Sequence, residues 1–163
     1  GLQVAMLGAG RMGRSIATEL ALSKAKSIVF YCTDRSLSGT FFDDLRRESP
    51  LSECRVETWP DEGLISLPER CDLLVNATPI GRHDPTAELP LDLALLSADA
   101  AVLDVVFNPP TTRLAREARR RGLLVFDGLD LLVEQAAVAF EIWTEVQPDR
   151  DAMREAVEEF LVL

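Results

Sequence analysis

Short apolar segments alternate along the chain with amphipathic segments whose apolar positions recur every three or four residues. Uninterrupted apolar segments of this length are typical of buried strands, and the recurring pattern is typical of helices with one buried face. The pattern predicts six strands, at residues 3–7, 27–32, 54–58, 72–76, 101–106 and 123–126. It predicts helices at residues 11–24, 38–48, 112–121, 129–144 and 150–161. Strands that alternate with helices predict an α/β fold, with a parallel sheet covered by helices on both faces.

The last predicted helix, at residues 150–161, follows the sixth strand. Its apolar positions, Met153, Val157, Phe160 and Leu161, lie on one face of the helix. Because the sheet is already covered when the chain reaches this helix, we expect the apolar face to need a partner that the chain itself does not supply.

A glycine-rich segment connects the first strand to the first helix. In the sequence VAMLGAGRMGR, from Val4 to Arg14, Gly8, Gly10 and Gly13 have the spacing G-x-G-x-x-G. The first glycine permits a sharp turn, the second lets a pyrophosphate approach the backbone, and the third lets the helix pack close to the sheet. The N-terminus of the following helix favours phosphate through its unpaired N–H groups and its dipole. The segment therefore predicts a dinucleotide-binding, Rossmann-like fold: a doubly wound parallel sheet with strand order 3-2-1-4-5-6 and a terminal amphipathic helix.

Composition and charge narrow the function. The 163 residues suit one dinucleotide-binding domain over residues 1–163. The 17 basic and 27 acidic residues give a net charge of −10, which argues against a nucleic-acid-binding surface. No apolar segment approaches the ~18 residues of a membrane helix, and no secretory signal is recognisable. We therefore expect a cytoplasmic protein without a nucleic-acid or membrane partner.

The cysteines and the histidine argue against a metal site. Cys32, Cys54 and Cys71 are odd in number, widely spaced and without a C-x-x-C pair, which favours reduced thiols over disulfides or metal ligands. His83 is the only histidine, so a histidine-rich zinc site is excluded.

Three further segments follow predicted strands at the carboxyl edge of the sheet, where open α/β sheets bind ligands. They are VNATPIG at residues 75–81, DVVFNPPTTRL at residues 104–114 and GLDLLVEQAAVAFEIW at residues 128–143. With the glycine loop, these segments resemble the nicotinamide-cofactor-binding domain of shikimate dehydrogenase, which is the C-terminal domain in that family. The family patterns are close to V-N-A-T-P-x-G-M, D-x-x-Y-x-P-x-x-T-x-L and G-x-x-M-L-x-x-Q-A-x-x-x-F. The resemblance extends in order over nearly the whole chain.

The resemblance implies a role for each matching residue. The loop around the pyrophosphate would comprise Gly8, Ala9, Gly10, Arg11 and Met12. The residues beside the ribose and nicotinamide half of the cofactor would be Asn76, Ala77, Thr78, Pro79, Val106 and Phe107, and those closing over the ring would be Gly128 and Leu131. Gln135 matches a glutamine that hydrogen-bonds a substrate hydroxyl; the alternative is an amide on the side of a helix that binds water.

Three positions depart from the family patterns. Phe107 replaces the usual tyrosine, so a hydroxyl near the substrate is missing. Leu131 replaces a methionine, which is a mild change. Arg82 also replaces a methionine, and its charge either lies near the nicotinamide edge or points to solvent.

The segment Thr33-Asp34-Arg35-Ser36 follows the second strand, where cofactor choice is made. NADP enzymes place an arginine there for the 2′-phosphate, and NAD enzymes place an acid there for the 2′-hydroxyl. Without a gap, Thr33 occupies the position of the family's arginine, whereas a shift of two residues places Arg35 there. Asp34 suits NAD. The resemblance favours NADP, with NAD as the alternative.

The implied reaction is reversible hydride transfer between NADP(H) and a carbonyl of a small cyclic hydroxy acid of the shikimate or quinate type, 3-dehydroshikimate giving shikimate. In this family a lysine and an aspartate transfer the proton, and both belong to an N-terminal substrate domain that we expect to be absent from this chain. We therefore predict no catalytic residue here. Lys24 and Lys26 lie at the far end of the first helix, and Asp104 is expected to be a hydrogen-bonded structural acid.

A second hypothesis is a stand-alone dinucleotide-binding module that senses redox state or serves as an interaction domain. Gln135 discriminates between the two, because a sensor has no use for an amide that faces a substrate. A flavin or a methyl donor is a weaker alternative ligand, since Thr78, Pro79 and the segment that begins at Gly128 fit nicotinamide better.

Overall fold

The computed structural model describes residues 1–33 and 39–161. Six parallel strands form one sheet: β1 (Gln3–Leu7), β2 (Ser27–Cys32), β3 (Glu53–Thr58), β4 (Leu73–Asn76), β5 (Ala101–Asp104) and β6 (Leu124–Phe126). Their order is β3-β2-β1-β4-β5-β6. The predicted fold class, including this order, is confirmed.

Over the described residues, five α-helices accompany the sheet: α1 (Arg11–Leu22), α2 (Phe41–Glu48), α3 (Arg113–Arg120), α4 (Gly128–Thr144) and α5 (Arg150–Leu161). Alternating side chains of β1 face opposite sides of the sheet, as the pleat requires. Val4 and Met6 join a core with α1 and α2, and Ala5 and Leu7 join a second core that includes residues of α3. Among the described helices, none is long and apolar enough to cross a membrane.

Several element boundaries differ from the predicted ones. α1 ends at Leu22 rather than residue 24, because Lys24 has a left-handed φ of 64°. β5 ends at Asp104 rather than residue 106, where the Asp104 side chain accepts a hydrogen bond from the N–H of Val106. α2 begins at Phe41, after a turn at Gly39 and Thr40, and the predicted start at Ser38 lies outside the described residues.

The connection between β4 and β5 contains one short 3-10 helix, Leu93–Leu95, and otherwise irregular chain. The sequence predicts a surface loop over residues 81–90; this segment is irregular, and five of its ten residues are exposed. Leu89 and Leu93 nevertheless are buried in the second core, so this connection covers the sheet where a helix is usual.

The C-terminal helices α4 and α5 pack against each other and carry exposed apolar side chains. Phe160 is 85% exposed and Trp143 is 81% exposed, and α5 has no buried residue. Arg150 and Arg154 of α5 form ion pairs with Glu134 and Asp130 of α4. Of the apolar face predicted for the last helix, Phe160 is exposed, whereas Met153, Val157 and Leu161 are half-buried.

Candidate cofactor-binding crevice

The glycine loop forms the corner between β1 and α1, next to the point where the strand order reverses. Gly8 has φ of +90°, and its N–H donates to the carbonyl of Tyr31 over 2.8 Å. A Cβ on Gly13 would lie 2.6 Å from the carbonyl oxygen of Gly8 and 3.2 Å from Cβ of Ala77. A Cβ on Gly10 would meet no atom within 4 Å. The turn at Gly8 and the close packing at Gly13 are confirmed, and Gly10 presents open backbone to the crevice.

Two adjoining cavities open on either side of this loop, and Gly10, Arg11, Ala77, Thr78 and Pro79 line both of them. The first, here named the β2-side cavity, has about 680 Å³. The second, the β5-side cavity, has about 800 Å³. Together they form one crevice outside the carboxyl ends of the strands, where doubly wound sheets bind ligands.

Predicted residues line each part of this crevice. The β2-side cavity includes Gly8 and Ala9, and the β5-side cavity includes Met12, Val106 and Phe107.

The charges along the crevice suit an anion. Arg11 and Arg14 line the β2-side cavity, and Arg82 and His83 line the β5-side cavity. Among the described residues that line the two cavities, none is acidic. This lining contrasts with the net charge of −10 for the whole chain and favours phosphate groups.

A buried polar network supports the loop that follows β4. Asn76 is fully buried, and its amide donates to Oδ1 of Asp104 over 3.0 Å. Its side-chain oxygen accepts from the N–H and the hydroxyl of Thr78, over 3.1 and 2.6 Å. Asn76 itself is not among the described residues that line either cavity. The Asn76 side chain holds Thr78 in the crevice wall, and its place beside the ribose and nicotinamide stays a prediction.

Asp104 lies at the centre of this network. It is fully buried, and it accepts hydrogen bonds from the N–H of Val106 and from the hydroxyl of Thr112, over 3.1 and 2.6 Å. Burial raises the pKa of Asp104 above its ordinary value, while the donors on Thr112, Val106 and Asn76 act in the opposite direction. Asp104 is thus the hydrogen-bonded structural acid that the sequence predicts.

The start of α4 lies against the backbone that follows β5. A Cβ on Gly128 would lie 2.4 Å from the carbonyl carbon of Val106 and 2.5 Å from the nitrogen of Phe107, so only glycine fits there. Asp127 and Asp130 form a capping box at this end of α4.

The remaining predicted residues are not part of the described lining of the two cavities or lie outside the described chain. Leu131 is half-buried and Gln135 is exposed on α4. Neither they nor Gly128 belong to the described lining of either cavity. Asp34 and Arg35 lie outside the described residues.

Several lining residues escape the sequence analysis. In the β2-side cavity these include Arg14 and Trp59, and in the β5-side cavity His83 and Asn108. Trp59 directly follows β3, and its N–H donates to the carbonyl of Cys32 over 3.0 Å. The rule that ligands bind at the carboxyl ends of the strands, applied to β3, could have identified it. Arg82, whose direction the sequence leaves open, lines the β5-side cavity.

Comparisons with known proteins agree with this geometry. A family model described as the shikimate 5′-dehydrogenase C-terminal domain matches residues 128–158. A shikimate dehydrogenase (NADP(+)) of Archaeoglobus fulgidus is 38% identical over 151 residues, which are 93% of this chain and 54% of that protein.

Solved structures give the same picture. The ligand-free 5-ketofructose reductase of Gluconobacter sp. strain CHM43 has a TM-score of 0.90 and 36% identity, over 98% of this chain and 57% of that chain. A shikimate dehydrogenase in complex with NADP+ has a TM-score of 0.78 and 27% identity, over 98% of this chain and 55% of that chain. The chain thus spans a little over half the length of these relatives. It belongs to the shikimate dehydrogenase family and corresponds to the C-terminal domain of its members.

Proposed function

We propose that this chain binds NADP(H) in the crevice and serves hydride transfer between NADP(H) and 3-dehydroshikimate or shikimate, as the dinucleotide-binding domain of a family oxidoreductase. One observation carries the proposal: the open backbone at Gly10 lines, together with Thr78 and Pro79, a crevice whose described lining contains arginines and no acid. The named activity and the NADP+ complex of the relatives support the same ligand.

The two cavities suggest how the halves of the cofactor divide. The pyrophosphate would lie over Gly10 and the N-terminus of α1, beside Arg11, which lines both cavities. The adenosine half would occupy the β2-side cavity, and the nicotinamide half would occupy the β5-side cavity near Val106 and Phe107. When bound, the nicotinamide supplies the hydride chemistry.

The protein groups orient the reactants. The network through Asn76 and Asp104 fixes Thr78, and the contact of Gly128 with the backbone at Val106 fixes the wall of the β5-side cavity. Gln135, exposed on α4, would donate to or accept from a hydroxyl of a cyclic hydroxy acid of the shikimate or quinate type. That acid would be carried by the substrate domain, which the family places before the glycine loop.

The first test is a titration of the chain with NADPH and with NADH, followed through tryptophan fluorescence. The chain has two tryptophans, of which Trp59 lines the β2-side cavity and Trp143 is 81% exposed on α4. Trp143→Phe therefore leaves one reporter inside the crevice, and Trp59→Phe leaves one outside it. We expect NADPH to quench the emission of Trp59 much more than that of Trp143. The proposed function would be contradicted if neither cofactor, at saturating concentration, quenches the emission of either tryptophan.

The cofactor choice suggested by the sequence is a separate prediction. Arg35→Ala should weaken the binding of NADP(H) far more than that of NAD(H), because only the former carries a 2′-phosphate. Isothermal titration with both cofactors measures the two losses. Equal losses of affinity for the two cofactors would show that Arg35 does not contact the 2′-phosphate.

A second candidate substrate is a neutral hydroxyketone. Two observations favour it: the high TM-score to a protein named 5-ketofructose reductase, and Phe107 at the position of the family's tyrosine. NADPH oxidation by the protein together with its substrate domain, with 3-dehydroshikimate and with 5-ketofructose in parallel, separates the two. Faster turnover of 5-ketofructose would replace the first candidate by the second.

A further inference from the structure

Arg14 lies in the first turns of α1 and lines the β2-side cavity together with Thr33. Its guanidinium carbon is 5.9 Å from the centre of the Phe41 ring, at the start of α2. A cation over an aromatic face is held in place without using its N–H donors. The guanidinium is thus placed toward the end of β2 with its donors available to a ligand.

No carboxylate neutralises this cation in the described part of the chain. Each of the ion pairs formed by arginines of α2, α3 and α5 joins a nearby Asp or Glu, whereas the Arg14 side chain has only the ring contact. An arginine that lines a cavity without an acidic partner is a candidate to bind an anionic group.

The described residue at the end of β2, where doubly wound folds distinguish the two cofactors, carries no charge. In such folds the residue that contacts the 2′ position of the adenosine ribose follows the second strand, as an arginine for the 2′-phosphate or an acid for the 2′-hydroxyl. Here Thr33 directly follows β2 and is uncharged, and it shares its cavity with Arg14. Within the described lining of this cavity, the positive charge therefore comes from α1, whereas Arg35, the candidate that the sequence offers, lies outside the described residues.

We propose that Arg14 contributes to binding the 2′-phosphate and thereby to the selection of NADP(H) over NAD(H). The planar guanidinium, held against Phe41, would donate two parallel hydrogen bonds to the phosphate. This inference rests on the proposed function, because it assigns a residue to the adenosine half of the same cofactor.

The experiment compares Arg14→Met, which keeps the length of the side chain and removes its charge, with the unaltered chain. Two pairs of ligands differ in the 2′-phosphate: NADPH with NADH, and adenosine 2′,5′-bisphosphate with adenosine 5′-monophosphate. We expect Arg14→Met to lower the affinity for the 2′-phosphorylated ligand of each pair by about 10- to 100-fold, which is the range for a hydrogen bond to a charged group. The other member should change by less than about threefold. Arg11→Met is the matched control, and it should weaken NADPH and NADH alike because Arg11 lines both cavities.

The ratio of the affinity for the ligand with the 2′-phosphate to that for the ligand without it decides whether Arg14 has the proposed role. Because each ratio is measured within one variant, a smaller folded fraction lowers the signal without changing the ratio. If Arg14→Met does not fold, Arg14→Lys decides in the same way, since an ammonium cannot form the two parallel hydrogen bonds. An unchanged ratio in the variant, or an unaltered chain that prefers NADH, would overturn the role of Arg14 and leave cofactor binding intact. An unaltered chain that binds neither cofactor would instead refute the proposed function.

Discussion

At the residue scale, Gly10 and Gly13 belong to the same loop but meet different surroundings. Gly10 has open space where a Cβ would lie, and its φ of −70° is available to any residue. Gly13 has the carbonyl oxygen of Gly8 2.6 Å from that position. One glycine therefore keeps the crevice open, whereas the other lets α1 approach the sheet.

Alanine substitutions should separate these two roles. Gly10→Ala should change the free energy of unfolding by less than about 1 kcal/mol. It should lower the affinity for NADPH by at least about tenfold, because the added methyl group occupies the space through which the pyrophosphate approaches the backbone. Gly13→Ala should cost about 1–3 kcal/mol of stability, because backbone must shift to make room. Urea unfolding and NADPH titration measure the two effects. Gly10→Ala with unaltered NADPH affinity would show that the pyrophosphate does not approach at this position.

Asp104 predicts a pH dependence of stability. Since burial raises the pKa of this carboxyl in the folded state, the folded chain binds more protons than the unfolded chain above the ordinary pKa of 3.8. The contribution of Asp104 to stability therefore falls as the pH rises from 3.8 through the folded-state pKa. Asp104→Asn cannot ionise and should lack this component. The difference in unfolding free energy, unaltered chain minus variant, should decrease with rising pH in urea titrations. A difference that increases with pH would contradict the assignment.

At the element scale, Thr112 joins α3 to the network beneath the crevice. Its hydroxyl donates to Oδ2 of Asp104 over 2.6 Å and accepts from the N–H of Ala115 over 3.1 Å, so it caps the helix and satisfies a buried carboxylate at once. Thr112→Val removes the hydroxyl at nearly constant volume and should cost about 2–3 kcal/mol. Thr112→Ser keeps the hydroxyl and should retain most of that stability. Equal losses in the two variants, measured by thermal unfolding, would show that the methyl group rather than the hydroxyl matters.

The elements themselves could largely be predicted from the sequence. Uninterrupted apolar strands and the glycine corner after the first strand indicate the sheet order, because right-handed crossovers leave few alternatives. The ends of elements depend on single backbone conformations that apolar periodicity does not encode. Lys24 ends α1 with a left-handed φ, and the Asp104 side chain engages the N–H of Val106 where β5 ends.

The site could be predicted in part, for a related reason. Local motifs identify Gly8, Gly10 and Thr78, which line the crevice. Arg14 and Trp59 reach the same cavity only because the sheet brings the ends of β1, β2 and β3 together. Residues recruited by tertiary packing carry no local pattern, so they emerge from the fold and not from the sequence segment around them.

At the scale of the whole molecule, charge is distributed unevenly. The chain carries a net charge of −10, but the described lining of the crevice contains only neutral and basic side chains. Such an arrangement focuses a positive potential on the place where a dinucleotide's phosphates would bind, while the acidic surface elsewhere favours solubility.

The described lining of the β5-side cavity also bears on whether the isolated chain can reduce a carbonyl. Reduction of a carbonyl needs a proton donor beside the acceptor of the hydride. The described residues that line the β5-side cavity include no lysine and no carboxylate, and His83 is the imidazole among them. Lys26 donates its backbone N–H to the carbonyl of Leu2, at the opposite edge of the sheet. We therefore expect the isolated chain to bind NADPH without oxidising it in the presence of 3-dehydroshikimate. Absorbance at the nicotinamide band measures the oxidation, with His83→Gln as the control. Robust turnover that this substitution abolishes would place the proton donor within this chain, and the division of labour with a substrate domain would be wrong.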